Sequence, residues 1–182
     1  MPAPKLILIG PRGSGKTTIG REVARTLGLP LIDTDAEVER VAGRKIAQIF
    51  AEEAEAGFRD RETAALHGTI ARDCVLATGG GIVVREENRK LLTACDCPRV
   101  LLMADAGLLA HRIANDKNSV NTRPALTHHA AAEEVAVLLE RRLPWYREVA
   151  THEVDTGSDF AAAQAQVIDI VANCSSIDSP TA

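Results

Sequence analysis

The sequence predicts a three-layer α/β domain, a parallel sheet covered on both faces by helices. Short apolar segments alternate with helical patterns along the whole chain. Those apolar segments are continuous runs, as expected of strands buried on both faces. The first of them opens into a glycine-rich loop and then directly into a helical pattern. At 182 residues the chain has the length of one domain.

Leu6-Ile7-Leu8-Ile9 reads as the first strand, ended by Gly10. Ile19, Val23, Ala24 and Leu27 then recur at helical spacing. Gly28-Leu29-Pro30 stops that helix, because glycine accepts the left-handed turn at a helix C-terminus and proline cannot continue it. Leu31-Ile32 is a second strand leading to Asp33-Thr34-Asp35, with another helix beginning near Asp35. Residues 46–72 carry helix formers and recurring apolar positions interrupted by Gly57 and Gly68, so two helices are expected to meet near Gly57-Phe58 in a side lobe.

Val75-Leu76-Ala77 enters Thr78-Gly79-Gly80-Gly81 as a third strand and its loop. A helix over 85–93, a strand over 99–104 and a helix over 105–113 capped by Asp105 follow. The polar interval 114–124 predicts a mobile loop, and a helical period resumes over 127–142. A fifth short strand is expected over 151–155 and a last helix over 161–171, with fraying from Cys174 to Ala182.

Composition narrows the function. Apolar residues make up 46% and aromatic ones 3%, so the core is aliphatic and base stacking on nucleic acid is poorly supplied. Net charge is -4, from 21 Lys+Arg against 25 Asp+Glu, which argues against a general nucleic-acid or membrane surface yet permits a local anion pocket. Cys74, Cys95, Cys97 and Cys174 form neither a secreted disulfide framework nor a zinc ligand set, and read as buried or incidental thiols. The five histidines likewise form no convincing ligand set. No cleavage signal and no apolar run of membrane-spanning length is present, so a cytoplasmic location is expected.

Gly10-Pro11-Arg12-Gly13-Ser14-Gly15-Lys16-Thr17 fits G-x4-G-K-[ST] without a mismatch, between an expected strand and an expected helix. Backbone N–H groups there can curve around phosphate oxygens, and the helix adds its unpaired donors and positive dipole end. Gly13, Ser14, Gly15, Lys16, Thr17 and Thr18 are the expected nucleotide contacts, with Lys16 on the β/γ-phosphates and Thr17 on Mg2+. An incidental glycine turn would explain neither the lysine nor the hydroxyl at their offsets.

Asp33 and Asp35 lie at the end of the second strand, on the sheet edge that also presents the phosphate loop. Asp33 is expected to hold magnesium through water, and Asp35 to orient a substrate hydroxyl and accept its proton. A helix-capping acidic turn is the plainer alternative. Gly80 and Gly81 are expected ligand contacts, although a purely structural turn would use the same residues. Arg59, Arg123 and Arg142 are far apart in sequence but can converge on an anionic small substrate, a carboxylate above all. Arg123, beside Pro124, is expected to stabilise charge on the transferring phosphoryl group, and Arg112 to cover the adenine ring. Trp145-Tyr146 is expected to pack the end of the arginine-bearing helix against the sheet.

The ordered set of the phosphate loop through Gly20, Asp33-Thr34-Asp35, Phe58-Arg59 with Glu62, Gly79-Gly80-Gly81, Arg123-Pro124 and Arg142-Leu143-Pro144-Trp145-Tyr146 resembles the shikimate kinase family. These are small P-loop kinases of the nucleoside-monophosphate-kinase-like class. The resemblance runs from about Lys5 through Ala172. It implies a five-stranded parallel sheet in order 2-3-1-4-5 and ATP-dependent phosphorylation of the shikimate 3-hydroxyl, on the way to chorismate and aromatic amino acids.

The resemblance further implies substrate contacts at Asp35, Arg59, Gly81 and Arg142, and phosphate contacts at Lys16 and Arg123. It places Mg2+ near Thr17 and Asp33, and implies a monomer with no obligate protein partner. One domain over 1–173 would carry a substrate lobe at 34–62, a lid at 114–126 and a flexible tail at 174–182. The chain departs from the family in a longer 111–122 stretch, in a lid reading Arg123-Pro124-Ala125-Leu126, and in Asp155-Thr156-Gly157-Ser158, which lacks the basic residues found beside the adenine loop. A related kinase acting on gluconate, a nucleoside monophosphate or another hydroxylated metabolite is the enzymatic alternative. A nucleotide-dependent switch with weak transfer is the non-enzymatic one.

Overall fold

A computed structural model describes residues 2–116 and 131–177. Five parallel strands form one sheet: β1 Leu6–Ile9, β2 Leu31–Asp33, β3 Val75–Ala77, β4 Arg99–Met103 and β5 His152–Asp155, in order β2-β3-β1-β4-β5. The central strand β1 pairs Leu6 with Val75 on one side and Ile7 with Arg99 on the other. The chain crosses from β3 to β4 past the intervening β1, and the crevice at such a reversal of strand order is where open α/β sheets bind ligands.

Seven helices cover the sheet among the described residues: α1 Lys16–Leu27, α2 Thr34–Ala42, α3 Ile46–Thr69, α4 Glu86–Thr93, α5 Ala106–Asn115, α6 Ala131–Val149 and α7 Phe160–Ile177. Successive strand residues point to opposite faces, and β1 feeds two cores accordingly. Leu6 and Leu8 pack with Ile19, Val23, Val167 and Val171 on the α1/α7 side. Ile7 and Ile9 pack with Leu66, Leu92, Tyr146 and Val149 on the other. All four β1 side chains are fully buried, which makes each worth roughly 1.5–3 kcal/mol of burial.

The strands fall where the apolar runs place them, with ends differing by a residue. The break expected near Gly57-Phe58 lies instead at Ala54, whose φ of 56° and ψ of -170° interrupt α3. Gly57 has another reason to be glycine: a Cβ there would collide with the Glu53 side chain packed across the kink. A glycine required for close approach thus resembles, in sequence, a glycine that breaks a helix. Glu53 is itself held by Arg44 at 2.7 Å and by Arg61 at 2.7 Å.

A 3-10 turn over Ile82–Val84 precedes α4 and was not anticipated. Helix α6 runs past Arg142 and through Pro144 to Val149. Burial of Tyr146 and Val149 in the core offsets the backbone hydrogen bond that proline forgoes. Trp145 is half-buried beneath the Arg89 guanidinium, 5.4 Å from the ring centroid. Helix α7 runs beyond the expected end at Val171 to Ile177. Residues 178–182 lie outside the described residues.

Candidate active site

The phosphate loop leaves β1 at Gly10 and enters α1 at Lys16. Gly15 adopts φ 91° and ψ 11°, a left-handed conformation open mainly to glycine, and a Cβ there would lie 2.6 Å from the Phe160 ring. Both constraints turn the α1 N-terminus, with its unpaired N–H groups, toward the cavity. Lys16 is nearly buried and donates to the carbonyl oxygens of Gly10 at 2.8 Å and Pro11 at 2.7 Å, so its ammonium is held within the loop.

A cavity of about 550 Å³ opens at the C-terminal edge of β1, β2 and β3. Loop residues from Arg12 to Thr18 line one side, Asp33 and Asp35 another, and Thr78 and Gly80 the third. Arg112, Ile113, Asp116 and Phe160 close its far end.

Thr17 donates its hydroxyl hydrogen to Asp33 Oδ2 over 2.8 Å. Asp33 Oδ1 meanwhile caps α2, accepting from the backbone N–H groups of Asp35 at 3.0 Å and Ala36 at 3.3 Å. Oδ1 thus makes the helix cap, while Oδ2 meets Thr17 at the cavity wall. A hydroxyl and a carboxylate side by side are hard oxygen donors, the ligand type Mg2+ takes from a protein while keeping much of its water shell. The residues present fit that ion. No group of three or more His, Cys, Asp or Glu side chains forms a metal cluster among the described residues.

Asp35 lies against Gly79, where any Cβ would run into its carboxylate. The Gly79 N–H donates to Thr34 Oγ1 at 2.8 Å, tying the glycine loop to the start of α2. Gly81 stands in the same relation to Arg59, whose guanidinium carbon would lie 2.7 Å from an added Cβ. Side-chain bulk is thus excluded along the glycine loop, against which Asp35 of α2 and Arg59 of α3 pack.

Arg59 is almost fully buried, and its Nη1 donates to the wholly buried Glu62 at 2.7 Å. Burial works to lower the Arg59 pKa, but Glu62 and then Glu55 outweigh it and hold the guanidinium above its ordinary value. Arg142 Nη1 donates to the Gly80 carbonyl at 3.2 Å, and the Tyr146 hydroxyl donates to the same oxygen. Two of the three arginines expected to converge therefore meet at the glycine loop. Arg123 lies outside the described residues, as does most of the 114–126 segment.

Arg112 donates from Nη2 to the Thr156 carbonyl at 2.7 Å and from Nη1 to the Gly13 carbonyl at 3.4 Å. Its guanidinium lies 5.9 Å from the Phe160 ring centroid. It borders the cavity end away from Asp35, with the loop after Asp155 beneath it. Sequence reasoning missed Phe160, Thr34 and the Tyr146 hydroxyl as parts of this site. Only Tyr146 left a signal, since it sits one helical turn after Arg142 and must share its face.

No helix among the described residues is long and apolar enough to cross a membrane. Residues 12–172 match the family model described as shikimate kinase. A shikimate kinase of Acinetobacter baylyi is 42% identical over 166 residues, covering 91% of this chain and 89% of that protein. Shikimate kinase 2 of Pectobacterium carotovorum is 39% identical over 164 residues, covering 90% and 93%. Among solved structures, shikimate kinase from Acinetobacter baumannii in complex with shikimate superposes with a TM-score of 0.82 at 36% identity, covering 99% of this chain and 97% of that one. With this match spanning the phosphate loop, Asp35, Arg59 and the glycine loop, the chain belongs to the shikimate kinase family.

Proposed function

We propose that this chain transfers the γ-phosphoryl group of ATP to the 3-hydroxyl of shikimate, giving shikimate 3-phosphate and ADP in the route to chorismate and the aromatic amino acids. The observation that carries the reading is the shared cavity. A phosphate loop with Lys16 forms one wall and Asp35 another, while Arg59 and Arg142 gather beside the glycine loop that borders it.

In this reading the N–H groups of Gly13 to Thr18 cradle the phosphates at the α1 N-terminus, where the helix dipole favours negative charge. Lys16 turns its ammonium from the Gly10 and Pro11 carbonyls to the β/γ-phosphates, stabilising charge that grows during transfer. Thr17 and Asp33 would hold Mg2+, Asp33 through water, and the ion would supply positive charge to offset that of the phosphates. Asp35 accepts a hydrogen bond from the 3-hydroxyl, aims its oxygen at the γ-phosphorus and takes its proton as the new P–O bond forms.

Arg59 and Arg142 hold the substrate carboxylate, and Gly80 and Gly81 bring backbone against the ring. Arg112 covers the adenine. Arg123 is assigned to the transferring phosphoryl group, with 114–126 as the lid, on sequence context alone. We place the reaction in the cytoplasm, carried out by a monomer without an obligate protein partner.

The test is ADP production with ATP and Mg2+ across shikimate, gluconate and nucleoside monophosphates, with the phosphorylated product identified directly. Shikimate is expected to give the highest kcat/KM. A higher value for another acceptor overturns the substrate assignment, and slow ATP hydrolysis with every acceptor overturns the kinase reading in favour of a nucleotide-dependent switch.

A further inference from the structure

Arg59 is engaged by two carboxylates, although one would balance its charge. Nη1 donates to Glu62 Oε2 at 2.7 Å, while Nε and Nη2 both donate to Glu55 Oε1, at 3.2 and 3.0 Å. The partners differ in freedom: the Glu62 side chain is 0% exposed and that of Glu55 is 52% exposed. Withdrawing Glu62 would strand a charge in the interior, whereas Glu55 can turn to water at little cost.

Glu55 follows directly on Ala54, where the chain leaves helical geometry. Restarting the helix after the kink places Glu55 four residues before Arg59, one turn away on the same face. The break in α3 thereby delivers a mobile carboxylate to the guanidinium that the substrate carboxylate would use.

We propose that Glu55 gates the substrate site as an internal anion, occupying Arg59 until the substrate carboxylate displaces it. The proposal rests on the reading that Arg59 and Arg142 bind that carboxylate. Charge balance supplies the driving force. Glu55 and Glu62 together already outweigh the single charge of Arg59, so an arriving carboxylate would add a third negative charge against that guanidinium unless one glutamate withdraws. Only Glu55 is placed to do so. Its contact raises the apparent affinity threshold for anionic acceptors and keeps the buried guanidinium satisfied in the empty site.

Steady-state kinetics of Glu55→Gln with shikimate, and with its methyl ester as an acceptor lacking the carboxylate charge, test the gate. The variant keeps the side-chain length and one acceptor oxygen but removes the competing charge. KM for shikimate is expected to fall about two- to fivefold, the range spanned by an ion pair with one half-exposed partner, with the gain confined to KM. KM for the ester is expected not to fall. Glu55→Ala, at a half-exposed position, should act in the same direction.

An unchanged or raised shikimate KM in both variants overturns the gate, and so does an equal fall for the ester, which would indicate general loosening of the lobe. Arg59→Ala separates the two readings. If it raises shikimate KM while the Glu55 variants do not lower it, the gate alone fails; if it leaves shikimate KM unchanged, the carboxylate assignment of Arg59 itself fails.

Discussion

The Thr17 hydroxyl and the Asp33 carboxylate meet at 2.8 Å, joining the first turn of α1 to the end of β2. Their residues are sixteen positions apart, and the hydrogen bond brings two hard oxygen ligands together beside the phosphate loop. Several expected outcomes depend on how closely such pairs are built.

Asp33→Asn should separate capping from metal binding. Asparagine caps a helix about as well as aspartate, so thermal stability should change little. The Mg2+ concentration giving half-maximal rate should rise by about tenfold or more, because a neutral amide is a poorer partner for the hydrated ion. An unchanged Mg2+ dependence removes Asp33 from the metal site.

Asp35→Asn preserves the fit against Gly79 while removing the charge that accepts the hydroxyl proton. Loss of general-base assistance should lower kcat by about 10²-fold or more, with ATP binding little affected. Wild-type turnover with normal shikimate KM would sink both roles assigned to Asp35.

Tyr146→Phe deletes one of two donors to the Gly80 carbonyl and leaves Arg142 as the other. The cost should be about 1 kcal/mol, seen as a Tm lower by about 2–4 °C for a chain of this size. Because Gly80 borders the cavity, shikimate KM should also rise. A variant unaltered in both Tm and KM shows that the bond neither stabilises the fold nor places the loop.

Ala54→Gly should stabilise the protein. Ala54 is exposed, so no packing is lost, and its φ of 56° with ψ of -170° lies in a region nearly restricted to glycine. Relief of about 1–3 kcal/mol of strain is partly offset by the roughly 0.5–1 kcal/mol that glycine loses through unfolded-state entropy. A higher Tm is expected in calorimetry; a lower one means that Ala54 carries no net strain.

The thiols provide a pH-dependent check. Burial pushes Cys74 up to about 11 and Cys97 up to about 12. The reactive thiolate is therefore scarce at pH 8, and labelling in the native protein should be at least about a hundredfold slower than after unfolding. The native rate should climb as pH rises toward those values. Peptide mass spectrometry after alkylation measures it, and fast labelling at pH 8 of both the buried Cys74 and the half-buried Cys97 contradicts their raised values.

Much of the fold was legible because its signals are local. Continuous runs such as Leu6-Ile7-Leu8-Ile9 and Val75-Leu76-Ala77 mark buried strands by composition alone, and the phosphate loop identifies its own strand–loop–helix context. Helix boundaries were less legible where a residue's role depends on a distant neighbour. Gly57 gives way to Glu53 rather than breaking α3, and Pro144 is carried inside α6 by the burial of Tyr146 and Val149.

Sequence alone determined the residue types and the order of the catalytic parts: the phosphate loop, Asp33 and Asp35, Arg59, the glycine triplet and Arg142. It also determined the family those parts resemble. Tertiary structure decided which of them touch. Arg59 and Arg142 are 83 positions apart in sequence and meet at the glycine loop because β3 lies between β2 and β1, which brings α3 and α6 to the same sheet edge. Pairings such as Thr17 with Asp33 and Arg142 with the Gly80 carbonyl follow from that closure. Local propensity cannot encode them, because each depends on backbone geometry and packing assembled from several segments.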